Sequence, residues 1–188
     1  MIATIFAAAA AFVGTNVDDI LILTLFFAQA DSRRGRWAVT AGQYLGIGTL
    51  TAVSMLGSRV LQLIPARYIG LMGLIPIALG IREIVPARKE EDAPAEKTAS
   101  GALQVMLITL ANGADNIGVY LPLFAGYSAP QLAVTAVSFA LLTTLWCFFG
   151  LKLASLPVLN RLIKRYRRIL VPAVYLLLGV YILAEGFF

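Results

Sequence analysis

The sequence predicts an all-α integral membrane protein, with six transmembrane helices as two inverted three-helix repeats. Three observations carry that expectation. Of the 188 residues 60% are apolar and only 13% are charged, with a mean hydropathy of +0.84, whereas a soluble domain holds about 25% charged residues. Basic residues gather in alternate gaps between the apolar runs. Two short polar clusters, Asn16-Val17-Asp18-Asp19 and Asn112-Gly113-Ala114-Asp115-Asn116, interrupt those runs about one half-chain apart.

A helix needs about 20 apolar residues to cross the hydrocarbon core. Six stretches are read as spans, in chain order 2–30, 37–58, 66–84, 101–126, 130–151 and 168–187. The first is broken by the first polar cluster. It lacks the positive n-region of a cleavable signal and is read as a retained span. The second carries Gly42-x-x-x-Gly46, a pattern that lets two helices approach closely. The third is the shortest: only Tyr68–Ile81 lies between Arg67 and Arg82, so those arginines must snorkel or the bilayer must thin. The fourth is broken by the second cluster, and an uncharged turn at Tyr127-Ser128-Ala129-Pro130 joins it to the fifth. Pro76, Pro122 and Pro172 are expected to kink their helices.

Charge orients the set. Loops one, three and five carry thirteen basic residues, among them Arg33, Arg34, Arg36, Arg88, Lys89, Lys164 and Arg165. Only Arg59 and Arg67 fall on the other side. Positive-inside bias places those three loops in the cytoplasm and both termini outside, and it accounts for the isoelectric point near 9.6 without a nucleic-acid partner. Residues 85–100 mix Lys, Glu, Asp, Ala and Pro without apolar period and read as a cytoplasmic linker between two three-helix halves, 1–84 and 101–188. Three is odd, so the second half enters from the opposite side and any repeat is inverted.

Buried carboxylates are costly in a bilayer and mark ion or substrate paths. Asn16 and Asp19 are three residues apart and share a helix face, as do Asn112, Asp115 and Asn116. Asp18 lies about 100° from Asp19 on a regular helix, so a local break would be needed to aim both at one point. Gly14 and Gly113 are placed to permit one, and an unwound turn would free backbone carbonyls as further ligands. Carboxylate, amide and carbonyl oxygens suit divalent cations, and three carboxylates around one such ion nearly balance its charge. Metal ligands are therefore sought among Asn16, Asp18, Asp19, Asn112, Asp115 and Asn116. A further shell is sought among Gln43, Tyr120, Thr143 and Cys147; Gln43 and Thr143 also read as helix-packing hydrogen bonders, Cys147 as a small apolar filler, and Tyr120 either as a donor to the site or as core. The register between the clusters stays open: either Asp18 or Asp19 matches Asp115.

Other chemistry is excluded by what is missing. There is no histidine, and the one cysteine, Cys147, forms no intramolecular disulfide. No nucleophile–base pair, nucleotide-binding motif or cofactor motif is present, so neither an enzyme nor a cofactor is expected. A homodimer is left open.

At Thr15-Asn16-Val17-Asp18-Asp19-Ile20 and at Ala111–Tyr120 with Pro122 and Phe124, the chain resembles the cadmium-resistance transporter family, within the larger lysine-exporter superfamily. The similarity covers nearly the whole length. It implies export of cadmium or another divalent metal across the bacterial cytoplasmic membrane, with two inverted three-helix repeats. The donor chemistry is broader than cadmium, a soft ion that favours thiolate; oxygen donors accept Mn²⁺, Ca²⁺ or Zn²⁺ on similar terms. Metal/proton antiport is the expected mechanism. Export of amino acids or other organic cations, and a non-transporting scaffold, are the competing readings.

Overall fold

The computed structural model describes residues 1–17, 19–61, 68, 71–72, 74–84, 101–155, 169, 172–173 and 175–184. The expected linker 85–100 and residues 156–168 of the basic loop before the sixth span lie outside the described residues. Every regular element among those described is a helix. In chain order they are α1 (Ile2–Asn16), α2 (Asp19–Gln29), α3 (Arg33–Leu61), α4 (Leu74–Ile84), α5 (Ala102–Ala111), α6 (Ala114–Ala125), α7 (Ala129–Ala154) and α8 (Tyr175–Ala184).

Of the six expected spans, α3 and α7 are each long and apolar enough to cross a membrane. The pair α1 and α2 makes a third when taken as one span, bent by 63° at the first polar cluster. α5 and α8 are apolar but short, at 10 residues each. The third expected span is described mainly through α4, which starts at Leu74, well inside the expected 66–84.

Both polar clusters break their helices, but not through glycine flexibility. α1 runs through Gly14 and ends at Asn16, and no described glycine adopts a positive φ. Gly113 sits between α5 and α6 at φ −83°, a conformation open to any residue. It is small for another reason: a Cβ there would lie 2.5 Å from Leu50 Cδ1 of α3. At the start of α7, the Gln131 side-chain oxygen accepts from the Ser128 N–H at 2.9 Å. With Pro130 in the first turn, this fixes where α7 begins.

Helices in lipid gain little from hiding apolar surface, so close packing and small residues hold them together. The contact expected of Gly42-x-x-x-Gly46 is present. A Cβ at Gly42 would lie 2.7 Å from Val105 Cβ, and one at Gly46 would lie 2.6 Å from Thr109 Cβ, both on α5. α3 also packs on α6, while α1 and α2 pack on α7. Apart from α2 on α3, the main contacts join a helix of 1–84 to one of 101–188. Large apolar side chains such as Phe6, Leu56, Leu103, Leu141 and Leu177 face outward, as a lipid-facing surface requires.

Candidate functional site

The two breaks place matching groups at matching positions. Asp19 opens the first turn of α2, and Asp115 lies in the first turn of α6. A helix N-terminus carries unpaired N–H groups and partial positive charge, which favours a carboxylate there. The amide before each carboxylate differs in fate: Asn16, the last residue of α1, is fully buried, whereas Asn112 caps α5 at an exposed position.

Side chains from the two halves meet at the Tyr120 hydroxyl. Asn16 Nδ2 donates to it at 2.8 Å and Asn116 Nδ2 at 3.0 Å, and the Thr15 hydroxyl lies 2.8 Å away. Asn116 Nδ2 also reaches Thr15 Oγ1 at 3.2 Å and Asn16 Oδ1 at 3.4 Å. Tyr120 and Asn16 are both 0% exposed. Buried polar groups need partners, and this node supplies them from within. Aromatic rings enclose it: Phe139 stands 4.8 Å from Tyr120, and Phe12 packs edge-on to Phe139 and Trp146. Trp146 does more than pack, since its indole N–H donates at 2.7 Å to the Asn16 carbonyl, a group at the end of α1.

Asp115 joins this node through Asn116, and Asp19 has contacts of its own. Asp115 Oδ1 accepts the Asn116 backbone N–H at 2.9 Å, and Asp115 Oδ2 accepts the Tyr175 hydroxyl of α8 at 2.7 Å. Asp19 Oδ2 faces Gln43 Nε2 at 3.3 Å, and Gln43 Oε1 accepts from Thr109 at 2.8 Å. Helices α2, α3 and α5 thus converge on one carboxylate, and α6 and α8 on the other.

Among the expected residues, the structure brings together Asn16, Asn116 and Tyr120, sets Gln43 against Asp19, and joins Asp115 to Asn116. Asp18 lies outside the described residues. Thr143 donates to the Phe139 carbonyl of its own helix, and Cys147 is buried beside Thr40 of α3. No three His, Cys, Asp or Glu residues cluster as a metal site among the described residues. Oxygen donors here are therefore mixed, with single carboxylates among amides and hydroxyls. Thr15, Thr109, Trp146 and Tyr175 join the site without having been sought as site residues. Thr15 immediately precedes the first cluster, which was the available signal; the others look like ordinary span residues.

A search of curated proteins and a search of solved structures find no match. The family model described as "Cadmium resistance transporter" matches residues 12–187, a stretch that contains both clusters and every residue named in the site. The chain belongs to the cadmium resistance transporter family.

Proposed function

We propose that this membrane protein exports a divalent cation, cadmium or one of similar size and charge, from the bacterial cytoplasm in exchange for protons. One observation carries the proposal: clusters half a chain apart meet in one buried network, each delivering a carboxylate at the start of a helix. In this reading Asp19 and Asp115 supply charge to the cation, with Asp18 as a third carboxylate. Asn16 and Asn116 offer amide oxygens, while Gln43 and Tyr175 hold the carboxylates by donating to them. The orientation is that of the charge bias, with both termini outside the cytoplasmic membrane, and the repeats are inverted, as in the lysine-exporter superfamily.

Exchange follows from electrostatics. Bare carboxylates deep in a bilayer are costly, and a divalent ion and protons each neutralise them. A site that trades one for the other never has to cross the membrane with its charges exposed.

Replacement of Asp19 or Asp115 by Asn tests this in proteoliposomes. Losing one charged ligand should weaken cation binding by about 1.5–3 kcal/mol, roughly 10- to 150-fold, in protein that remains monodisperse. Variants that carry Cd²⁺ or Mn²⁺ with wild-type affinity would remove the carboxylates from the mechanism. Variants that only lose stability would make them structural.

A further inference from the structure

Hydroxyls on the described helices mostly follow one habit, while Thr4 and Thr109 meet glutamine side chains instead. Thr15, Thr24, Thr40, Thr49, Thr135, Ser138, Thr143 and Thr144 each donate to a backbone carbonyl one turn back. That is the usual way to satisfy a hydroxyl where water is absent. Thr51 and Ser54 on α3 do not. Ser54 is 0% exposed and Thr51 7%, and neither hydroxyl has a hydrogen-bond partner among the described residues.

Their direction is informative. At about 100° per residue, Gln43, Thr51, Ser54 and Ser58 fall within a sector of about 80° on α3. Gln43 in that sector touches Asp19. The opposite rim of the buried face, with Gly42 and Gly46, is pressed against α5. The hydroxyls therefore turn inward on the carboxylate side and run from Gln43 toward the Arg59 end of the helix. Buried hydroxyls without protein partners are where internal water binds.

We infer that Thr51 and Ser54 line an aqueous track that leads from the Asp19–Gln43 pair to the membrane face at which α3 ends, and that hydrated cations leave by it. The inference rests on the transport reading above and adds a route to it. Ser58, whose hydroxyl donates to the Met55 carbonyl at 2.7 Å, stands nearest the mouth.

Single cysteines at Ser58, Ser54 and Thr51, in a Cys147→Ala background, test the track with a membrane-impermeant, cationic thiosulfonate applied to proteoliposomes. Leu56→Cys, 72% exposed on the lipid side, is the dry control. A thiol in apolar surroundings is seldom ionised, so track positions should react at least about tenfold faster than Leu56→Cys. Rates should fall in the order Ser58, Ser54, Thr51. Labelling no faster than the control, or the reverse order, overturns the inference. Should a cysteine variant fail to fold, Ser54→Ala and Thr51→Val ask the same question: slowed transport at unchanged thermal stability supports the track, while unchanged transport in a more stable protein overturns it. Track labelling in a protein that moves no metal would spare the track and reject the functional reading. Metal flux without labelling would do the reverse.

Discussion

Tyr120 shows how much can rest on one hydroxyl. It takes contacts from Thr15, Asn16 and Asn116 in a site sealed by Phe12, Phe139 and Trp146, so no outside water can replace it. Tyr120→Phe keeps the ring and removes only that oxygen. Interhelical hydrogen bonds in membranes are individually modest, about 0.6 kcal/mol on average, but Asn16 and Asn116 lose their acceptor and Thr15 its hydroxyl partner together. The expected loss is about 1–2 kcal/mol, read as a lowered thermal midpoint in detergent. Wild-type stability would mean that the node is not what ties the halves together. The sequence made part of this site legible, because Asn16, Asp19, Asp115 and Asn116 are polar intrusions into apolar runs and only function or pairing explains them. Tyr175 and Trp146 were not legible in that way. Tyrosine and tryptophan are ordinary in spans, and their polar atoms acquire meaning only once α8 and α7 lie against Asp115 and Asn16.

At the scale of helices, α3 is the element on which the others are set. Its glycines divide by position: Gly46 abuts Thr109, whereas a Cβ at Gly48 would meet nothing within 4 Å. Gly46→Ala should therefore push α3 from α5, at about 1–3 kcal/mol for overpacking, and disturb the Thr109–Gln43–Asp19 line. Gly48→Ala, on the same helix, should be neutral or stabilise by up to about 1 kcal/mol through helix propensity. Paired thermal melts decide it, and equal effects at the two sites would show that propensity rather than packing governs α3. The small-xxx-small motif was readable from spacing alone, since 42 and 46 share a face. The break mechanism was not. Glycine was expected to unwind the chain, yet α1 passes through Gly14 unbroken, and Gly113 answers to the nearness of Leu50, a contact more than sixty residues away. Local sequence carries flexibility but not the identity of a distant neighbour.

For the molecule as a whole, the halves do not sit side by side. α3 packs on α5 and α6, α1 and α2 pack on α7, and the polar node is shared, so most described packing crosses between 1–84 and 101–188. A cycle that rocked one complete half against the other would have to break the core. A change that tilts α2 and α6 at their breaks, around the Tyr120 node, would move both carboxylates while leaving α3 seated. On the export reading proposed above, energy for such a cycle must come from a gradient: moving two positive charges outward against 100 mV costs about 4.6 kcal/mol, at about 2.3 per charge, and no nucleotide motif is present in the chain. If Asp19 and Asp115 alternate between metal and protons, an imposed pH gradient, acid on the side from which protons enter, should drive metal to accumulate against its own gradient in proteoliposomes. Metal added without a pH gradient should in turn release protons, visible with an entrapped pH dye. Both signals should vanish together in Asp115→Asn, because the same group serves both ions. Metal flux indifferent to the pH gradient would leave a uniporter, which moves a cation only down its electrochemical gradient.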